Sequence, residues 1–253
     1  MFDVDLWPTT TIVLWAVLMI ALERWRPYQV GQPFLRREFW TDFVWFSIVF
    51  SMAMGWVVST LVIPGLDAAT GWSTTRGIRD WPVAAQVAVS FVTHDLFIYA
   101  FHRAMHRNRY LWRLHECHHS VQEMDWAGGS RGQVFENLIT GTAEFAPIAL
   151  FMSPEVAVIK PVIDACWGMW IHANVDVRSG WLNYLFNGPE LHRWHHSAEV
   201  YDTNFGTKLA IWDWLFGTAY LPSDKKATRL GLAEPFPTNI IAQQLFAFRS
   251  YRV

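Results

Sequence analysis

The sequence predicts an all-α integral membrane protein with about four transmembrane or hairpin helices and a cytosolic, histidine-rich helical cap. Three observations support this fold class: long stretches without charge, 52% hydrophobic residues with 16 Trp, and ten His at helical spacings. A disordered chain is excluded, because it needs low hydrophobicity and high net charge. The net charge of −2 provides no basic field for nucleic acid, and two Cys are too few for a disulfide scaffold.

The first part of the chain is predicted to anchor it with three apolar helices. Residues 6–22 and 43–66 carry no charge, and each is long enough to cross a hydrocarbon core of ~30 Å, the first only just. A third apolar run, 81–101, is interrupted only by His94 and Asp95. The first segment lacks the features of a cleaved signal peptide, so it is expected to remain as an anchor.

A fourth apolar region, 134–172, is broken at its middle by Ser153-Pro154. It predicts a helical hairpin whose internal charges, Glu144, Lys160 and Asp164, face protein, each other or the interface. A further apolar run at 240–248 is expected to form a short interfacial helix.

Orientation follows from the basic residues. If the first three segments cross the membrane, most Lys and Arg lie on the side of the cap, which the positive-inside rule makes cytoplasmic. A soluble, very apolar helical domain is the alternative, because the third and fourth stretches are imperfect.

All ten histidines lie between residues 94 and 196, and eight of them form three motifs. One is HxxxH and two are HxxHH; their members are His102 and His106, then His115, His118 and His119, and finally His192, His195 and His196. His172 stands between the second and third motifs, in the sequence HAN. Residues i, i+3 and i+4 share a helix face, so each motif is expected to point at one centre. No Pro lies between Val83 and His119, which predicts uninterrupted helix there.

This pattern predicts a site for two metal ions. Neutral imidazole is a ligand for Zn, Fe, Cu and Ni, and nine histidines exceed the four to six ligands of one ion. A lone histidine in a helix is more often an ordinary core residue. His94 is therefore left open as a tenth ligand; it is alternatively expected to line the lipid end of the site or to bond backbone.

Other polar residues are candidates for orienting the metal-binding histidines. Such histidines usually donate their second ring N–H to a carboxylate or carbonyl. The candidates are Asp95, Glu136, Asn174 and Asp202. Ordinary pairing with arginines is the alternative for each carboxylate.

The surroundings of the motifs extend the pattern. Residues 111–120 read LWRLHECHHS, residues 188–197 read GPELHRWHHS, and NFG at 204–206 precedes WDWLFGT at 212–218. In combination these residues resemble the fatty acid hydroxylase superfamily, most closely its bacterial sterol desaturase-like members. The eight residues between His106 and His115 are fewer than the acyl-lipid and acyl-CoA desaturases have there. One departure is Gln133-Val134, where many relatives carry His-Pro.

The resemblance implies a membrane-bound non-haem di-iron oxygenase that uses O₂ and external electrons to hydroxylate or desaturate a C–H bond of a lipid. The cofactor is two Fe ions; Zn is the alternative occupant in purified protein, because it binds histidine sites more tightly than Fe²⁺. The electron donor is separate, a ferredoxin or a cytochrome b5-like carrier with its reductase. The location implied is a bacterial inner membrane, and no nucleic acid is involved.

The resemblance also implies a division of the ligands between the two ions. One ion takes His102, His115, His118, His192 and His195, and the other takes His106, His119, His172 and His196. The whole chain, 1–253, is expected to form one domain, made of anchor helices (6–101), the first two motifs (102–133), the hairpin (134–172) and a C-terminal cap (173–253).

Two other functions are considered. A di-zinc membrane hydrolase needs an open metal position and a general base, but the HExxH motif is absent. In a metal transporter or binding protein the ligands line a path across the membrane, whereas here they cluster on one side.

Overall fold

The computed structural model describes residues 6–250, and this part of the chain contains helices but no β-strand, only two isolated bridges. The prediction of an all-α chain is therefore confirmed for these residues. The helices are α1 (Trp7–Trp25), α2 (Ser51–Val57), α3 (Ile63–Thr70), α4 (Val83–Arg107), α5 (Arg109–His119), α6 (Val134–Phe151), α7 (Pro154–His172), α8 (Pro189–His195), α9 (Ile211–Leu215) and α10 (Ile240–Phe246).

Helices α2 and α3 belong to one continuous helix, Thr41–Thr70, whose other turns, Thr41–Phe50 and Val58–Val62, are π-helical. Its side chains are apolar and mostly exposed, which is typical of a surface that faces lipid rather than water. It ends at Gly71, whose φ of +65° places it in the left-handed conformation that favours glycine.

Two helices are long and apolar enough to cross a membrane, Thr41–Thr70 and Val83–Arg107. This finding indicates a membrane protein. Helix α1 and the pair α6 and α7 fall below that hydropathy within the described residues, because polar and charged side chains lie among their apolar ones. Composition alone thus identifies two spans, fewer than the predicted number of about four membrane or hairpin helices.

The helical conformation is interrupted between α4 and α5, at Asn108. Its backbone is extended, and its side chain accepts bonds from the N–H groups of Tyr110 and Leu111, as a helix N-cap does. The expectation of uninterrupted helix from 83 to 119 is therefore wrong. The physical reason is that the asparagine side chain accepts from backbone N–H groups, which starts a new helix.

The hairpin region consists of α6 and α7, which pack against each other and against α4. Met152 and Ser153 separate them, and Pro154 begins α7 in the first-turn position that proline favours. The predicted break at Ser153-Pro154 is confirmed. Gln133 precedes α6 as its N-cap, and its buried side chain accepts from the N–H of Phe135. The residue that departs from the resembling family thus serves as the cap of this helix.

Candidate metal centre

Nine histidines converge where α4, α5, α7 and α8 meet. They form two groups, and within each group one ring nitrogen per residue lies within 4.8 Å of all the others. The five-histidine group contains His102, His106, His115, His119 and His195, and the four-histidine group contains His118, His172, His192 and His196.

Within the five-histidine group, the Nε2 atoms point at one another. The distance is 2.8 Å between His102 and His115, and 3.1 Å between His106 and His119. The Nε2 atom of His195 is buried and has no hydrogen-bond partner in the described part of the chain. The rings of His195 and His102 are 4.4 Å apart, so His195 belongs to the same centre.

The four-histidine group is arranged in the same way. Its Nε2 atoms lie 3.0 Å apart between His172 and His192, 3.1 Å between His118 and His196, 3.2 Å between His192 and His196, and 3.4 Å between His118 and His172. His172, His192 and His196 are deeply buried, and His118 is partly buried.

The opposite ring nitrogens fix the protonation pattern. The Nδ1 atoms of His102, His118, His172 and His195 lie 2.7–3.0 Å from the backbone carbonyls of Phe205, Arg131, Gly168 and Thr203. A carbonyl only accepts, so each Nδ1 carries the proton and each Nε2 presents a lone pair. Lone pairs facing one another at 3 Å repel unless a cation lies between them. The donor set therefore fits bound metal ions.

Burial keeps these imidazoles neutral. Removal from water lowers the pKa of His192, His195 and His196 well below its usual value, and the neighbouring histidines lower it further. A neutral ring is the form that binds a metal, so the environment prepares the ligands.

The grouping corrects the division expected from the resemblance. His118 and His192 lie with the four-histidine group, and His106 and His119 lie with the five-histidine group. The expectation that each motif points at one centre holds for His102 and His106 but is wrong for the two HxxHH motifs. In each HxxHH motif the i and i+4 residues share one group, because they stand one above the other on the helix, and the i+3 residue turns to the second group.

His94 lies apart from both groups. Its Nδ1 is 3.1 Å from Nζ of Lys160 and 3.5 Å from a carboxylate oxygen of Asp164. The structure thus places it in a separate polar cluster deeper along α4.

The candidate orienting residues differ in their contacts. Glu136 accepts from Nδ1 of His115 at 2.7 Å, in the arrangement expected of it. Asp202 lies 3.8 Å from Nδ1 of His106. The side-chain oxygen of Asn174 accepts hydrogen bonds from Gln29 and Arg193 and makes none with a histidine ring at the metal centre within the described residues. Asp95 contacts the cap instead of a histidine ring.

Both oxygens of Asp95 accept bonds from the segment that follows the NFG motif. The donors are the hydroxyl of Thr207, the N–H groups of Lys208 and Leu209, and the indole of Trp212, at 2.9–3.0 Å. Asp95 lies about two turns from His102. The cap packs over that face of α4, and its residues donate hydrogen bonds to the Asp95 carboxylate. Its role is to hold the cap to the helix.

Sequence reasoning missed the ionic network beneath the four-histidine group. Arg131, whose carbonyl accepts from His118, is itself buried and pairs with Asp42 and Glu38 at 2.6 Å. Asp42 also pairs with Arg36, which reaches Asp125 at 2.8 Å. The sequence signal was Asp42 itself, a charge at the start of an apolar helix.

Gly129 is a second residue that sequence reasoning missed. A Cβ atom at this position would lie 2.7 Å from Nδ1 of His172 and 2.9 Å from the carbonyl of Gly168. Only glycine therefore allows the loop to pack directly against this imidazole.

An apolar cavity of about 520 Å³ reaches both groups. It lies between the helix Thr41–Thr70, α4 and the α6–α7 pair, and its walls include Val58, Phe101, Phe145 and Ile171. At one end it is lined by His102, His115, His118, His172 and His192. The cavity therefore gives an elongated apolar ligand access to the histidines.

The matches to known proteins agree with this site. The family model "Fatty acid hydroxylase" matches residues 87–218, and all ten histidines lie within this range. No solved structure matches the chain.

Three relatives show the range of the similarity. An ornithine lipid hydroxylase of Rhizobium tropici is 34% identical over 166 residues, which cover 64% of this chain and 50% of the relative. The alkylglycerol monooxygenase of Homo sapiens is 32% identical over 151 residues, 59% of this chain and 33% of the relative. Sphinganine C4-monooxygenase 2 of Arabidopsis thaliana is 29% identical over 189 residues, 70% of each chain.

The chain thus spans half of the Rhizobium relative and a third of the human one. The matched region nevertheless contains both histidine groups and more than half of this chain. The chain therefore belongs to the fatty acid hydroxylase family.

Proposed function

We propose that this protein is a membrane-bound di-iron oxygenase that hydroxylates a C–H bond of a lipid with O₂ and external electrons. The observation that carries this proposal is the pair of histidine groups at the end of an apolar cavity. The named relatives are hydroxylases and monooxygenases of lipids, which favours hydroxylation over desaturation.

The five-histidine group and the four-histidine group would each hold one ion. When bound, iron supplies the redox chemistry of O₂ activation, which Zn²⁺ lacks. The chain contributes neutral nitrogen ligands whose rings are fixed from behind by backbone carbonyls and Glu136. Purified protein is still expected to contain zinc where iron has been displaced.

The cavity positions the lipid and excludes water. Its apolar walls would bind an acyl or alkyl chain, and they include residues of the two helices that have the composition of membrane spans. A substrate carbon brought against the histidines would be held away from solvent, which prevents side reactions of the activated oxygen.

We further propose that the protein is multi-pass in a bacterial inner membrane, with the histidine groups on the cytoplasmic side. Electrons would come from a ferredoxin or a cytochrome b5-like carrier with its reductase, docked on the basic cap. Turnover that does not change with ionic strength would contradict this docking.

The proposed activity is tested with the purified full chain, loaded with Fe(II) under anaerobic conditions. Addition of O₂, a chemical reductant and membrane lipid extract is expected to give lipid-dependent O₂ consumption. The variant His119→Ala should lose it, because the five-histidine group loses a ligand. Release of fatty acid without O₂ consumption would instead support the di-zinc hydrolase, and binding without either reaction would support a metal carrier.

A further inference from the structure

A second polar cluster lies in the wall of the same cavity, away from the nine histidines. It consists of His94 on α4, Glu144 on α6, and Lys160 and Asp164 on α7. Lys160 is fully buried, and Glu144 and Asp164 line the cavity. Charges within apolar, membrane-type helices are costly, so such a cluster is by default functional.

Lys160 lies at the centre of this cluster. Its ammonium is 2.5 Å from Asp164, 3.1 Å from Nδ1 of His94 and 3.7 Å from Glu144. From the cap, Lys208 lies 3.5 Å from Asp164 and 3.8 Å from Asp95, whose oxygens are occupied by four hydrogen bonds. Two ammonium groups thus face the three carboxylates of Glu144, Asp164 and Asp95. A third metal ion has no place here, because Lys160 already supplies the cation.

Three atoms of the cluster are left without a hydrogen-bond partner in the described structure. They are Oε1 of Glu144 and Oδ1 of Asp164, which face the ammonium groups of Lys160 and Lys208 at 3.7 and 3.5 Å without a hydrogen bond, and Nε2 of His94. An ammonium only donates, so Nδ1 of His94 accepts from Lys160 and Nε2 carries the proton. The unpartnered set is therefore two acceptors and one donor. Most buried polar atoms in proteins are hydrogen-bonded, so unsatisfied atoms beside a cavity favour a polar ligand.

A hydroxyl group matches this set, because it donates one hydrogen bond and accepts others. One nitrogen of His94 and one oxygen each of Glu144 and Asp164 lie within 4.8 Å of one another, so the three side chains converge on one place beside the cavity that Glu144 and Asp164 line. An ammonium fits less well, because it cannot accept from His94 and because the ammonium groups of Lys160 and Lys208 already face these carboxylates.

On each of three helices, the residue of the polar cluster lies the same number of residues from a residue at the metal centre. His94 and His102 on α4, Glu144 and Glu136 on α6, and Asp164 and His172 on α7 are each eight residues apart. At 1.5 Å per residue this separation is about 12 Å along each helix. The cavity extends from one set of residues to the other.

We propose that this cluster binds a hydroxyl group of the lipid substrate. The substrate is then a lipid alcohol whose oxidised carbon lies about 12 Å from its hydroxyl. This inference rests on the proposed function for its meaning, but its test measures binding and not turnover.

The experiment compares dodecanol with dodecyl methyl ether, which cannot donate a hydrogen bond, as ligands of the metal-loaded full chain in detergent. Dodecanol is expected to bind about tenfold more tightly, because the ether leaves buried acceptors unpaired. The variant Glu144→Met, which keeps the length of the side chain, should reduce this ratio to within about twofold. Glu199→Met makes the same exchange at an exposed position and should preserve it.

Equal binding of alcohol and ether to the unaltered chain would overturn the proposal, whatever the variants do. Tighter binding of dodecylamine than of dodecanol would also overturn it, since the subsite would then recognise a cation. If the alcohol is preferred but no lipid is ever oxidised, the subsite stands and the proposed oxygenase function fails.

Discussion

Each HxxHH motif supplies both metal groups, two residues to one and a single residue to the other. His115 and His119 face the group that His195 completes, and His192 and His196 face the group that His118 completes. The sequence predicts the nine residues, because imidazoles at i, i+3 and i+4 have few other uses. It does not predict the grouping, because that depends on how α5 and α8 are rotated against each other.

A substitution at Gly129 tests the metal binding of the four-histidine group apart from that of the five-histidine group. In Gly129→Ala the added Cβ would strike His172 at 2.7 Å and displace a ligand of the four-histidine group. Metal analysis is expected to show a fall from about two ions per chain to about one. The neighbouring side chains are closely packed and cannot shift to accommodate the added methyl group. Gly168→Ala is the matched control, since nothing lies within 4 Å of its Cβ. Full metal content in both variants would refute the contact.

The carboxylate behind His115 gives a second prediction. Glu136→Gln keeps the size of the side chain but removes the charge that orients this imidazole at 2.7 Å. Metal affinity, measured by competition with a chelator, should fall by about 10- to 100-fold. The melting temperature of the metal-free protein should change little. An unaltered affinity would show that Glu136 does not support the ligand.

The buried histidines make the metal-free protein sensitive to acid. Burial holds the folded-state pKa of His192, His195 and His196 below its unfolded value. Below a pH of about 6.5 the unfolded chain therefore binds more protons than the folded chain, and stability falls as pH falls. Each such histidine removes up to ~1.4 kcal/mol per pH unit. The melting temperature of the metal-free protein should drop between pH 7.5 and 5.5; a constant value would contradict the burial.

At the scale of elements, short segments outside the long helices set the positions of the ligands. Phe205, Thr203 and Arg131 each offer a carbonyl to a histidine from a loop. No sequence periodicity marks such partners, because a carbonyl is present at every residue. The helices themselves could be predicted from apolar runs, whereas the break at Asn108 and the contacts of Asp95 depend on local hydrogen bonds and on the folding of the cap.

The anchoring of the cap by Asp95 is tested by Asp95→Asn. The amide would place an NH₂ group against donors from Lys208, Leu209 or Trp212, so the free energy of unfolding should fall by about 3 kcal/mol. Chemical denaturation in detergent measures this loss. Asp80→Asn is the control, because Asp80 pairs with Arg76 on the exposed surface and such pairs contribute little. Equal stability of the two variants would show that Asp95 is not an anchor.

At the scale of the whole molecule, an apolar cavity connects membrane-type helices with a buried set of nitrogen ligands. The sequence predicts the membrane setting from uncharged runs, and the helix Thr41–Thr70 and α4 have that composition. The cavity could not be predicted, because it is formed by residues from eight separate segments. Its combination with the two histidine groups is the basis for proposing a lipid oxygenase.

The most direct test of this proposal is the transfer of oxygen from O₂ to a lipid. Cells that express the full chain and supply a reductant are grown under ¹⁸O₂, and their lipids are analysed by mass spectrometry. The account predicts a lipid that carries one ¹⁸O atom in cells with the unaltered protein and not in cells with His119→Ala. An iron-loaded, unaltered protein that yields no ¹⁸O-labelled lipid would contradict it.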